Sequence, residues 1–546
     1  MKHVRGLWLG LLFAACVARL WLMALPSSFW VDETVTAFVV GHPHDPSLAV
    51  APQVPDSLYY WLPRAAIAIA GPSEIVYRMP SILAMLAAIW IVARLAARLI
   101  HRDAAWFAAF ACLGLRGIDY FAVDARPYGL GMAVAAAAAW FLVRWLDTAR
   151  WADALGFALC AALVWRVHLV YWPFYLMLAL YAGVRLFHRE TPVDWCRAVI
   201  VFAAVGVALL PVALNALALE RQAKAHVIVS PPSWRDFLHL LRYNLVLIAF
   251  AGAWLVSRIP YFHRSPVQLS QSAARAEQAS NPGALWADRL SSRHTLPEAR
   301  PSAARTATRE ADPLACGPGG AVWPRPGQSS PAAALIFAWW LIPPTILYLF
   351  SIATGESVYL TRYLSLALPG AALAATWAAA RFLPSRYWHG AAALAGIGAL
   401  VLLGQWDQPW PPHEKSDWRS AAAAINHAET AADVPVICPS PFIEARPGVW
   451  RPGYPLPGFL YAHLAYYPLR TKPLLFPFAD SPQAESYAVR LLAGRLIASR
   501  AFLIYGGSSA VRFWQKWFAA RPELSRWTVR RDEFGDIYLA RFQAGR

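Results

Sequence analysis

The segment GLWLGLLFAACVARLWLMALPSSFWVDETVTAF, residues 6–38, sets an apolar run directly against two adjacent carboxylates, Asp32 and Glu33. The run, to about Leu25, is long enough to cross the hydrocarbon of a bilayer. Its basic start, MKHVRG, is shared with secretion signals, but its apolar part is nearer a full span than a cleaved signal's core, so it reads as a retained first helix. The rest of the chain agrees: 58% of its 546 residues are hydrophobic and 15% charged, the composition of an integral membrane protein. The net charge of +17 does not indicate nucleic acid, because most of the cations fall in short turns between apolar runs, where membrane topology accounts for them. Six cysteines (Cys16, Cys112, Cys160, Cys196, Cys316, Cys438) show no CxxC or paired spacing, which argues against a disulfide framework and a metal site.

Apolar runs of spanning length recur near 6–26, 78–100, 104–121, 128–146, 152–170, 172–188, 196–219, 236–257, 333–351, 362–383 and 387–405, and predict eleven spans. The run 57–71 is too short, carries Pro63 and Arg64, and reads as a helix lying in the interface. The turns 94–103, 144–150, 185–197 and 381–386 hold ten Arg together, whereas 27–77 holds only Arg64. Cationic turns stay cytoplasmic, which puts the N-terminus inside and both 27–77 and the C-terminal part outside. Four cations in 220–242 run against this scheme. The predicted organisation is a membrane region 1–257 with the outer loop 27–77, a disordered cytoplasmic loop 258–332 rich in Ala, Ser, Pro and Arg, further transmembrane helices over 333–405, and a small α/β domain over 406–546. In the last, VPVICPS and AFLIYGG read as buried strands and SAVRFWQKWFAARPEL as an amphipathic helix.

Taken alone, Asp32 and Glu33 read as acids capping a helix that starts at their position. Their company on the same side of the membrane suggests more. DYFAVDARPYG (119–129) brings Asp124, Arg126 and Tyr128. The fifth span carries Arg166 and His168 near its outer end, and TRYLSLALPG (361–370) opens the tenth span with Arg362 and Tyr363. Ionisable groups at membrane depth are costly and generally face a polar cavity or one another. Each has a plainer reading, as a salt-bridge partner, an interface anchor or a hydrogen-bonded packing residue.

These pieces, with SLYYWL and YRMPSILAMLAAIWIVARLAARL, resemble in order and spacing the GT-C superfamily of membrane glycosyltransferases, specifically the bacterial relatives of protein O-mannosyltransferases and of the lipid A aminoarabinose transferase. The resemblance implies a polytopic α-helical fold with a small soluble α/β domain outside, and transfer of a sugar from a polyprenyl phosphate donor to a lipid, glycan or protein. It implies that the first acid of the loop pair, here Asp32, is catalytic, with Glu33 beside it. A carboxylate base and a guanidinium for the departing phosphate suit an inverting displacement. Arg126, Arg362, Arg166 and His168 are the phosphate candidates, and Asp124, Tyr128, Tyr59, Tyr60 and Tyr363 would line the substrate path. With Arg to neutralise the leaving group, neither a metal nor a cofactor is required. The family's His-Pro-Pro before Leu-Tyr-Tyr is replaced by VPDSLYY, a departure that bears on donor and acceptor rather than on the reaction class. The alternative is a secondary transporter or lipid flippase with an outward polar cavity, against which stand the lack of repeated halves and the gathering of charges at one rim.

Overall fold

Helices carry most of the chain in the computed structural model, which describes residues 2–51, 54, 56–223, 230–258, 331–355, 357–427, 434–446, 449–451 and 458–545. The loop expected at 258–332 lies outside the described residues except at its two ends. In order come α1 (Lys2–Leu20), α2 (Val31–Gly41), α3 (Trp61–Ala70), α4 (Glu74–Leu99), α5 (Ala105–Leu113), α6 (Arg116–Val123), α7 (Tyr128–Thr148), α8 (Trp151–Val167), α9 (Phe174–Phe187), α10 (Trp195–Ala223), α11 (Trp234–Leu240) and α12 (Tyr243–Arg258). Three further membrane helices are Pro331–Thr354, Leu368–Ala380 and Trp388–Leu403.

The eleven expected spans do not all appear as single helices of spanning length. Among the described residues seven helices are long and apolar enough to cross a membrane, or nine if two bent pairs each count as one. The third expected span bends by 74° between Leu113 and Arg116, and the eighth by 52° between Leu240 and Tyr243. Each bent pair passes as one apolar stretch when taken together, so a hydropathy window cannot see the breaks. The fifth, α8, has 17 residues, about 25 Å of rise and roughly a turn short of the hydrocarbon. The tenth is shorter still, at Ser365–Ala380. Helix α3 is the expected short helix of the first loop, with Trp61 and Ile69 exposed along it.

The centre is built from α4, α5, α7, α8 and Leu368–Ala380. Small residues allow their backbones to approach closely. Gly129 of α7 lies so near α4 that a Cβ there would stand 2.9 Å from the Ser81 carbonyl oxygen. At the mouth of the bundle Arg19 of α1 donates to the carbonyls of Gly404, Gln405, Gln408 and Pro409 at 2.7 Å each. These follow the last membrane helix, whose final carbonyls have no partner within the helix, so one guanidinium both caps it and ties the first span to the last.

The C-terminal part forms a five-stranded sheet from β1 (Val436–Pro439), β2 (Leu474–Phe476), β3 (Ala501–Gly507), β4 (Trp527–Phe534) and β5 (Ile537–Ala544), in the order β2-β1-β3-β5-β4. Strands β1–β3 pair in parallel and β5 runs antiparallel to both β3 and β4. Phe534 faces Ile537 across a two-residue turn whose first member, Gly535, has φ 63°, a conformation such tight hairpins require of glycine. A Cβ there would also collide with the Lys415 carbonyl. The expected strands and the amphipathic helix, Ser508–Ala519, lie where the sequence placed them. Ile437, Ile504 and Leu539 of this sheet and Trp514 of the helix Ser508–Ala519 share one continuous core with Phe29, Val35, Phe38 and Tyr60 of the first loop. The domain is thereby packed onto the segment that carries Asp32.

Candidate active site

Helix α2 starts one residue after Trp30, whose extended backbone and free N–H need an acceptor. Glu33 supplies it, its Oε2 accepting from Trp30 N at 3.2 Å. The same carboxylate takes Arg78 Nε at 2.7 Å on Oε1 and Arg78 Nη2 on Oε2, and accepts from Ala125 N at 2.9 Å. Both side chains are fully buried. The Arg78 guanidinium reaches on to the carbonyls of Leu25, Ser27 and Ser28, the exit of the first span. Burial works against the charge of Glu33, but Arg78 outweighs it and holds the carboxyl below its ordinary range. Every lone-pair direction of Glu33 is spent. Its expected place beside Asp32 in catalysis is therefore corrected: Glu33 is the cap and the anchor.

Adjacent residues on a helix point about 100° apart, so Asp32 faces elsewhere. Its Oδ2 meets Arg362 Nη1 at 2.7 Å, with the carboxylate 19% and the guanidinium 37% exposed. Arg362 lies over the ring of Tyr363. Arg126 donates through Nη1 to the Asp32 carbonyl at 3.2 Å and bonds Tyr60, while its Nε has no partner among the described residues. Tyr128 is buried within electrostatic reach of Asp32, Arg126 and Arg362, its hydroxyl also unpartnered. His168 sits among the rings of Tyr128, Tyr171 and Tyr363. Its Nδ1 accepts from Val170 N at 3.3 Å, which assigns the proton of the neutral ring to Nε2. Asp32, Arg362, Arg126, Tyr60, Tyr128, Tyr363 and His168 thus converge from four separate stretches of sequence.

Three expected residues do not join them. Arg166 turns toward α10 and donates to the Ala208 carbonyl at 3.1 Å. Tyr59 is sealed, with its hydroxyl 3.1 Å from Ser81 Oγ. Asp124 is wholly buried, accepting from Trp30 Nε1 at 3.1 Å, so it braces the loop from behind instead of lining a path. Burial raises the Asp124 carboxyl above its ordinary value, and the nearby Glu33 charge adds to this.

Sequence reasoning missed Arg78 and His413. Arg78 could have been found, since an Arg just inside an apolar run needs a partner. His413 carried no local signal: its ring packs at a tilt against Tyr120, and its Nε2 lies 3.9 Å from Asp124 Oδ1. Glu33, Asp124 and His413 bring potential ligand atoms within 4.8 Å of one another. A cation there would find the Glu33 oxygens already engaged and the Arg78 charge alongside; the atoms left are Asp124 Oδ2 and His413 Nε2.

Residues 54–215 match the family model described as dolichyl-phosphate-mannose-protein mannosyltransferase. Among solved structures the chain is similar to ArnT from Cupriavidus metallidurans. The apo form shows 12% identity and a TM-score of 0.50, with 98% of this chain and 97% of that one covered. The form bound to undecaprenyl phosphate shows 11% identity and a TM-score of 0.49, with 98% of each chain covered. No curated protein matches. The mannosyltransferase model thus matches less than half of the chain, while the fold as a whole is like that of ArnT.

Proposed function

We propose that the protein transfers a sugar from a polyprenyl phosphate donor to a lipid, glycan or protein of the cell envelope on the periplasmic face, with Asp32 as base and inversion at the anomeric carbon. The observation that carries this reading is the part-exposed Asp32–Arg362 pair at 2.7 Å, with Arg126 behind it. The matched family model names a dolichyl-phosphate sugar, which supports a donor of this class.

The pair has a direct chemical use. A donor phosphate arriving beside Arg362 competes with Asp32 for the guanidinium, and its forked donors suit phosphate oxygens. As Arg362 turns to the phosphate, the Asp32 carboxylate is freed to take the proton of the acceptor hydroxyl. The acceptor oxygen then bonds the anomeric carbon while the bond to the phosphate oxygen breaks, and the electron pair leaves with the phosphate. The phosphate gains charge in this step, so Arg362 binds the transition state more strongly than the donor. Donor arrival and base release are coupled through one side chain.

Mass spectrometry of envelope glycolipids and glycoproteins, with and without the gene product, tests the reaction class: loss of one sugar modification supports it, and identical profiles contradict it. The outward orientation rests on the Arg-rich turns. An alkaline phosphatase fused after Trp406 should be active, and an inactive fusion would move Asp32 to the cytoplasmic face.

A further inference from the structure

Between the first span and α2, residues Pro26–Phe29 form neither helix nor strand, so their backbone groups need partners from elsewhere. Two sources supply them. Arg78 of α4 takes the carbonyls of Ser27 and Ser28. The C-terminal domain takes much of the rest. Arg419, in the helix Trp418–His427, donates through Nη2 to the Pro26 carbonyl at 3.0 Å and through its backbone N to Ser28 Oγ at 3.3 Å. The Tyr467 hydroxyl, just after the helix Ala462–Tyr466, accepts from Phe29 N at 2.9 Å and from Ser28 Oγ at 3.3 Å. It donates to Glu74 Oε1 at 3.0 Å, so both its lone pairs and its hydrogen are used. Arg419 Nε donates to the same Glu74 oxygen at 3.0 Å.

Glu74 and Arg78 stand four residues apart in the first turns of α4, and so on one face of it. Glu74 grips the C-terminal domain, and Arg78 grips Glu33 at the start of α2. The Phe29 ring fills the space between, 4.8 Å from the ring of Tyr466, 5.5 Å from that of Tyr77 and 5.3 Å from the Arg78 guanidinium carbon. Asp32 follows three residues after Phe29. Glu33 with Arg78 therefore fixes where α2 begins, and Tyr467 fixes the backbone that leads into it.

We propose that Tyr467 is a positioning residue for Asp32: its hydroxyl, seated on Glu74, holds the backbone at Phe29 and so links the docking of the C-terminal domain to the placement of the reacting carboxylate. This rests on the reading of Asp32 as the base. The apolar core shared by the sheet and the first loop keeps the domain attached, but apolar contact is non-directional and tolerates sliding. A hydrogen bond to one backbone N–H does not, because it weakens steeply away from its preferred distance and angle. A base must meet the acceptor hydroxyl within hydrogen-bond reach, so a shift of about 1 Å at the start of α2 is enough to slow transfer.

The test is a double-mutant cycle in cells that lack the gene product, which supply their own donor and acceptor. The full chain is induced as wild type, Tyr467→Phe, Asp32→Asn or the double variant, at equal amounts of monodisperse membrane protein. The rate at which the sugar modification of the envelope appears is followed by mass spectrometry. Tyr467→Phe keeps the ring and should lower the rate about tenfold. In the Asp32→Asn background the same change should cost less than about twofold, because a residue that acts through Asp32 has nothing left to position. A structural role has no such dependence, since it lowers both backgrounds by the same factor. Glu74→Ala, which removes the seat of the hydroxyl from the α4 side, should repeat the pattern and serves if Tyr467→Phe does not accumulate. Wild-type rates in both variants, or losses that multiply with that of Asp32→Asn, overturn the positioning role while Asp32 stands as the base. A wild-type rate for Asp32→Asn itself overturns the base reading and the positioning role together.

Discussion

Asp32 and Glu33 are neighbours in sequence, each paired with an arginine, and their fates differ completely. Glu33 and Arg78 are sealed, and the guanidinium is shared with four backbone carbonyls, those of Ala24, Leu25, Ser27 and Ser28. Asp32 and Arg362 keep 19% and 37% of their side-chain surface. The sealed pair cannot exchange its partner without leaving a buried charge; the open pair can. One amide step along α2 therefore separates a sealed ion pair from an open one, and the difference lies in what surrounds each charge, not in its chemistry.

The sharpest way to break this comparison is Glu33→Gln. It leaves Arg78 buried without its counter-charge, for which the expected loss is about 3–5 kcal/mol. Thermal unfolding in detergent, or the yield of monodisperse protein, should show it; a variant that melts like the wild type would mean that Glu33 is no anchor. Asp32→Asn removes a part-exposed charge and should fold normally while turnover falls by about 10² or more, equal to roughly 2.7 kcal/mol in the barrier. A smaller effect is expected of Arg362→Lys, which keeps the attraction but not the fork and should recover part of what Arg362→Ala loses in turnover. Equal rates for Arg362→Ala and the wild type would pass the phosphate role to Arg126.

The smallest effect sharpens the structural side. Asp124 binds its proton more readily folded than unfolded, so this group costs the fold stability as pH rises through the ordinary carboxylate range toward its raised value. It is faced by Glu33, Arg126 and His413. Asp124→Asn keeps an oxygen for Trp30 Nε1 and removes that cost. Melting curves from the acid side of the ordinary carboxylate range up to pH 8 should show the wild type losing stability relative to the variant as pH rises. A parallel response in both proteins would mean that Asp124 stays comfortably ionised.

How much of this the sequence could reveal follows from the range of each interaction. Span positions, the short helix of the first loop and the strands around Ile437 and Ile504 depend on local apolar pattern and were legible. Asp32, Arg126 and Arg362 were legible as polar groups at one rim. The breaks at Gly114 and Arg242 were not, because each pair of helices averages to one apolar stretch and only the structure shows the change of direction. Nor was the division of labour between Asp32 and Glu33, which is set by Arg78, 45 positions away from Glu33. The position of His413 against Asp124 depends on how the C-terminal domain docks, which no local pattern carries.

The most direct test of the central claim compares Asp32→Asn with the wild type in one nanodisc preparation, using a synthetic polyprenyl phosphate sugar and measuring transfer rate, donor affinity and melting temperature together. The account predicts a rate lower by about 10² or more, with melting preserved and donor affinity not reduced, since Arg362 is released to the phosphate. Transfer at the wild-type rate by the folded variant would contradict it and leave Asp32 as no more than a charge at a helix start.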